Sequence, residues 1–419
     1  MTIPGPLARQ LPPALRVRDF RRLFGGFLAS SFAAQMVTVA VGWQVYAINR
    51  SALDLGLIGL AEFLPLLLLA LPAGHLADRM SRTHLFATGI AAEAVVALLL
   101  LGVTIGGAKQ LWPFLVLAAL TGATQAVGAP AARSLTPEIV PVDLVAGALA
   151  LRSVAFQIST VAGPAVGGLL FALQPEAVYA IASALFAVAA VSVLRLRAVH
   201  GPRTADEGPP RRESLLGGIR MIRGTPIILG AITLDLFAVL FGGAVALLPL
   251  FARSVLHTGP VGLGLLRSAP AVGALLAGAR LTRRPLRGRA GRTLLLVVGV
   301  FGASMVVFGL SRTFWLSALA LAVSGFVDMF SMNIRSTTIA LATPNELRGR
   351  VTAVENVFIS ASNELGAFES GLAAALIGAV PAVVGGGIVT ILLALIWPRF
   401  FPELSRVDRL EDVRPVPVD

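Results

Sequence analysis

The sequence predicts an all-α integral membrane protein of twelve transmembrane helices in two pseudo-symmetric six-helix bundles, and three observations carry that prediction. Of its 419 residues 56% are hydrophobic and only 13% are charged, about half the charge of an ordinary soluble domain. Apolar runs of about 20 residues, enough to cross a hydrocarbon core roughly 30 Å thick, recur along the whole length between short polar breaks. The two halves also resemble each other. "GLAEFLPLLLLALPAGHLADR" aligns with "GLLRSAPAVGALLAGARLTRR", matching Gly59 with Gly264 and Pro65 with Pro270. "PVDLVAGALALRSVAFQIST" from Pro141 aligns with "PNELRGRVTAVENVFISASN" from Pro344 at nearly the same offset. Parallel six-helix repeats point to a transporter that holds its substrate between the halves and works by rocking them.

In chain order, residues 1–22 read as a cytoplasmic N-terminal segment. A first bundle over 23–196 has spans near 23–48, 55–76, 83–105, 111–133, 145–173 and 176–196. A Gly-, Pro- and Arg-rich cytoplasmic linker follows over 197–225, with a short amphipathic helix expected from Ser214 to Arg223. The second bundle, 226–398, has spans near 226–252, 259–281, 291–311, 314–340, 350–377 and 379–398, and 399–419 is a cytoplasmic tail. The net charge of +12 is distributed as a topology signal. Most of the 34 Lys and Arg residues fall on one side. Arg50, Lys109, Arg253 and Arg312 fall on the other, and Arg152 and Arg267 lie within spans. By the positive-inside rule both termini are cytoplasmic, in the inner membrane of a cell. No loop interleaves basic and aromatic residues, so nucleic acid is not an expected partner. There is no cysteine, which removes disulfides and thiolate metal sites.

Span 1 mixes polar and aromatic character at Gln35, Trp43, Gln44 and Tyr46, as the wall of a substrate cavity would. Span 2 carries Glu62, whose repeat partner in span 8 is Arg267; both lie in the outer half of the membrane. The loop after span 2 reads "GHLADRMSRTH". Here the sequence resembles the major facilitator superfamily, whose signature in this loop is G-x-L-x-D-R-x-G-R-R. Gly74, Leu76, Asp78, Arg79 and Arg82 match, Ser81 and Thr83 depart, and the second copy has Arg283 where the first has Asp78. The resemblance implies a conformational latch made of Gly74, Asp78, Arg79 and Arg82. Span 11 is the partner, with Arg348 and Arg350 as candidates to face Asp78 in one rocking state.

Span 3 contains Glu93, expected in a packing or hydrogen-bonding role. Span 4, "LTGATQAVGAPAARS", reads as apolar until Arg133 and lacks the arginine common in the superfamily. Span 5 contains "STVAGPAVGGLL". Gly163, Pro164, Gly167 and Gly168 match the G-x-x-x-G-P-x-x-G-G pattern of the superfamily's proton-coupled exporters, with Ser159 in place of the first glycine. Small residues four apart let helices approach closely and the proline bends the helix, which suits a pivoting contact with span 8. These stretches, with "TPNELRGRV" and "SNELGAFESG", resemble the enterobactin-exporter-like branch and its drug-exporting relatives from about Asp19 to Arg409.

The energy source follows by elimination. The single lysine, Lys109, is followed by Gln110, so no phosphate-cradling Gly-Lys-Ser/Thr loop exists. The histidines, His75, His84, His200 and His257, offer neither ligand spacing nor a triad. An enzyme is therefore not expected, nor any cofactor or metal. The remaining fuel is an ion gradient, and membrane-embedded carboxylates are its natural carriers. Asp235 lies roughly 14 Å into span 7, near the midplane, on a span that the resemblance places at the central cavity. Glu364 and Glu369 in span 11 are about 140° apart around the helix, and Glu364 is the one expected to face the cavity. Glu62 completes the proton-coupling candidates. For Asp328, Arg335 two turns on offers a neutralising partner, and the repeat partners Arg152 and Glu355 suit a closed gate. The expectation is a monomeric, proton-coupled exporter of a small amphipathic or aromatic compound, a siderophore or a drug. An importer or uniporter would follow if the span 5 element is only packing, and a lipid flippase if the halves part sideways to the bilayer. A transport-dead sensor would need no titrating acids.

Overall fold

The computed structural model describes residues 12–196, 212–284, 286 and 288–415, with backbone only at 70, 71, 73–79 and 212–216. Its long helices are α1 (Arg18–Asn49), α2 (Ala52–Arg79), α3 (Arg82–Ile105), α4 (Trp112–Ile139), α5 (Val145–Leu173) and α6 (Pro175–Leu194). The second set is α7 (Pro226–Gly242), α8 (Pro260–Arg283), α9 (Ala290–Leu310), α10 (Phe314–Ala342), α11 (Asn345–Ile377) and α12 (Ala379–Phe400). Proline opens several of them, at Pro113, Pro175, Pro226 and Pro260, because a helix start has no intrahelical use for the missing N–H. Gly378, at φ +91°, supplies the positive-φ turn between α11 and α12.

Among the described residues, eleven segments are long and apolar enough to cross a membrane. The remaining long helix, α11, is the longest at 33 residues, and its carboxylates and asparagines set it apart. Span 7 is not one continuous helix as expected. α7 stops at Gly242, a 3-10 turn follows over Ala244–Leu247, and a π-helical turn closes Phe251–Val255. The Gly242-Gly243 pair loosens the backbone and Pro249 removes a donor beyond it. The carbonyl released at Gly243 accepts the Ser370 hydroxyl of α11 at 3.0 Å, so the broken segment stays satisfied inside apolar surroundings.

By contacts the chain forms two compact units, Met1–Ile48 with Ala61–Pro209 and Asn49–Leu60 with Pro210–Asp419. In the first, α3 and α6 pack tightly with α1 and α4 around Leu85, Phe86, Leu135 and Phe186. The Tyr179 hydroxyl donates to Gln44 Oε1 at 2.8 Å, and Gln44 Nε2 donates to Thr104 at 3.2 Å. These bonds tie α6, α1 and α3 together. In the second unit Trp397 of α12 packs edge-on to Phe237 and donates its indole N–H to the Gly230 carbonyl at 3.1 Å.

Two cytoplasm-assigned segments are built into the second unit. The linker helix, Arg212–Gly224, buries Ile222 in the same cluster as Val351 and Val354 of α11. A Cβ at Gly218 would sit 3.0 Å from the Arg350 carbonyl oxygen, so glycine there permits the close approach. The tail after α12 folds back. Leu404 is buried, and the carbonyls of Val407 and Asp408 accept the N–H groups of Gly291 and Ala290 at 2.9 Å each.

Candidate proton and substrate site

The second unit places its charge in one cluster between α7, α10 and α11. Arg335 of α10 bonds Asp235 Oδ2 of α7 at 2.7 Å, with both side chains buried. One turn before it, Ser331 accepts from Arg335 Nε at 3.2 Å, which fixes the guanidinium's direction. Asp328, two turns before Arg335, lines a void of about 10 Å³ with Asp235, Phe301 and Ser331, roughly the space of a single water. Both Asp328 and Glu355 of α11 lie within electrostatic reach of Arg335 and Asp235. One guanidinium is therefore paired with Asp235 and acted on by the charges of two further carboxylates.

This arrangement adds a closer partner to the pairing read from α10 alone. Seven residues put Asp328 and Arg335 on one face but roughly 10 Å apart along the axis. Asp235, on the neighbouring helix, reaches the cation directly. The partner of Asp235 was missed because it depends on how two helices pack, and Arg335 in an otherwise apolar span was the available sign.

On α11, Glu364 is half-buried, with its carboxylate beside Gly59 at the start of α2 in the same unit. Glu369, also half-buried, directly precedes the Ser370 that satisfies Gly243. Arg267 of α8 is half-buried.

In the first unit, Gln125 of α4 donates to Glu62 Oε1 of α2 at 3.0 Å, and Glu93 of α3 lies within reach of the Glu62 charge. Span 4 is thus not apolar where it matters: Gln125 was passed over in "LTGATQAVG" because one amide hardly alters a hydropathy average. Arg152 of α5 donates to the Ala132 carbonyl at 2.5 Å and to Thr136 at 3.3 Å, and lies over the Phe27 ring. Gly163, Pro164, Gly167 and Gly168 are all buried in α5. Expected against span 8, the glycine stripe makes its close approach to α1. A Cβ on Gly163 would come within 2.6 Å of Gln35 Cβ, and one on Gly167 within 2.8 Å of Met36 Cα. Gln35 is thus engaged in helix packing, and Trp43 is half-buried on the same helix.

Of the expected latch, Gly74, Asp78 and Arg79 have side chains outside the described residues. Arg82 forms an ion pair with Glu138 of α4, joining the start of α3 to the end of α4 within one unit. Arg348 is exposed, while Arg350 is exposed beside the linker helix, where its backbone meets Gly218.

Comparison with known proteins adds the family context. The model of the family described as transmembrane secretion effector matches residues 10–414. The chain is 27% identical over 392 residues to the multidrug efflux pump Tap of Mycolicibacterium fortuitum, covering 88% of this chain and 92% of that one. It is 26% identical over 396 residues to the enterobactin exporter EntS of Citrobacter koseri, covering 92% of each. Among solved structures, an inward-facing, occupied bacterial homolog of the human lysosomal transporter Spinster superposes with a TM-score of 0.74 at 15% identity, covering 97% of this chain and 100% of that one. A D-xylose-proton symporter gives 0.70 at 13%, covering 94% and 100%. At such identities the structural likeness concerns the fold.

Proposed function

The chain belongs to the transmembrane secretion effector family of the major facilitator superfamily, a multi-span membrane transporter and not an enzyme, and from that premise we propose that it is a proton-coupled exporter of a small amphipathic or aromatic compound, a siderophore or a drug. The reading that the basic loops and both termini face the cytoplasm, in the inner membrane of a bacterium, belongs to the same proposal. One observation carries it: Arg335 with Asp235, Asp328 and Glu355 in the membrane-spanning part of the second unit. A single cation can satisfy one carboxylate fully, and an unpaired carboxylate in low dielectric is far more stable with a proton than without one.

The mechanism follows from that imbalance. With Asp235 held by Arg335, Asp328 or Glu355 takes a proton from the acidic side. Release of the proton leaves a second anion competing for Arg335, and the guanidinium shifts between partners on neighbouring helices. Because α7 is broken at Gly243 and bonded there to α11, a shift at α7 is passed to the helix that carries Glu364 and Glu369. Alternating access couples this exchange to cargo, with Asp78 acting as the latch on the cytoplasmic side. Export is favoured over import by the exporter names of the relatives.

The test is transport by purified protein in proteoliposomes, using a panel of iron-free siderophores and amphipathic drugs. Cargo movement should need a pH difference and should change lumenal pH. Asp328→Asn and Glu364→Gln should each weaken the coupling. Full-speed transport without a pH difference would overturn the reading, and the panel identifies the cargo class.

A further inference from the structure

The second unit also carries a groove of about 550 Å³ that the transport reading does not use. Arg289 and Arg292 at the start of α9 and Arg406 in the folded tail line its rim, while Leu295 of α9 and Pro398 of α12 form an apolar floor. All three arginines are exposed, and among the described residues none of their guanidinium groups has a hydrogen-bond or ion-pair partner. Asp408 is the one acid present, and its Oδ1 already accepts the Arg289 backbone N–H at 2.8 Å. The first N–H groups of α9 are occupied by tail carbonyls, so the attraction here comes from side-chain charge and not from a helix terminus.

We propose that this groove binds the phosphate-bearing headgroup of an anionic phospholipid. Guanidinium forks match phosphate oxygens two at a time, and basic pockets between membrane helices recognise such headgroups. The floor decides between a lipid and free phosphate. α9 and α12 are apolar enough to span the membrane, and Leu295, in the second turn of α9, and Pro398, in the last turn of α12, lie near the ends of these segments. The first carbons of an acyl chain can rest on them; an inorganic ion would leave that surface unmatched.

The experiment is native mass spectrometry of the delipidated full chain in detergent, titrated with phosphatidylglycerol, phosphatidylcholine or inorganic phosphate. One tightly held phosphatidylglycerol is expected, with phosphatidylcholine weaker and inorganic phosphate unable to displace either. Arg292→Gln combined with Arg406→Gln should weaken phosphatidylglycerol binding at least about tenfold. The corresponding pair of Lys substitutions should keep most of it, which separates lost charge from lost folding. Arg312→Gln, in a loop at the other end of α9, should change nothing. Equal binding by the Gln pair, displacement by equimolar phosphate, or equal loss on Arg312→Gln would overturn the proposal.

Discussion

α5 and α11 are equivalent in the internal repeat, yet they hold their units together by opposite means. α5 meets α1 through glycines, and its single arginine, Arg152, is absorbed by the Ala132 carbonyl, Thr136 and the Phe27 ring. α11 carries Glu355 at the position equivalent to Arg152, within electrostatic reach of the cation that Asp235 already holds. The duplication kept the site and reversed its sign. Where a neutral carbonyl faces the charge, the contact only stabilises; where several acids share one arginine, the contact can change with a proton. On the mechanism proposed above, the first unit is a scaffold and the second holds the switch.

The strongest way to break the comparison is Asp235→Asn, which leaves a buried guanidinium only its more distant carboxylates and should cost about 3 kcal/mol, read as a large fall in the thermal unfolding midpoint in detergent together with lost transport. Adding Arg335→Gln should recover much of the stability and none of the coupling. If the single variant unfolds like the wild type, the pair does not carry the structural role given to it. Next, Gly167→Leu in α5 forces a side chain into Met36 and should cost about 1–3 kcal/mol. Transport should slow while the number of protons moved per cargo stays the same; a changed stoichiometry would put part of the switch in the first unit. Asp328→Asn sharpens the contrast from the other side, because it should flatten the pH dependence of efflux and leave the unfolding midpoint almost unmoved. The smallest effect expected is from Gln125→Leu, which removes one hydrogen bond to Glu62 and should cost about 1 kcal/mol, measured as a slight fall in that midpoint.

Much of the architecture was legible because bilayer thickness imposes a length on every apolar run, and the repeat could be seen from Gly59 and Pro65 recurring as Gly264 and Pro270. The site was legible only one helix at a time. Periodicity put Asp328 and Arg335 on the same face of α10, but no periodicity could say that α7 would bring Asp235 closer. The break at Gly243 was hidden for a related reason: hydropathy averages over a window and does not register which carbonyl Ser370 will take. How the tail packs was not legible because Leu404, Val407 and Leu410 are spaced among charges, and their apolar face becomes evident only beside α9.

The polarity of α11 has a consequence for how the chain is made. A segment with Glu355, Glu364 and Glu369 along 33 residues partitions poorly into lipid by itself, since each charged residue near the centre of a span costs about 2.5–3.5 kcal/mol during insertion. Of its carboxylates, Glu355 finds an opposite charge in Arg335 of α10, which is synthesised first. In nascent chains ending just after α11, a glycosylation acceptor placed behind that helix should therefore be modified when α10 is native and stay unmodified when α10 is replaced by polyleucine.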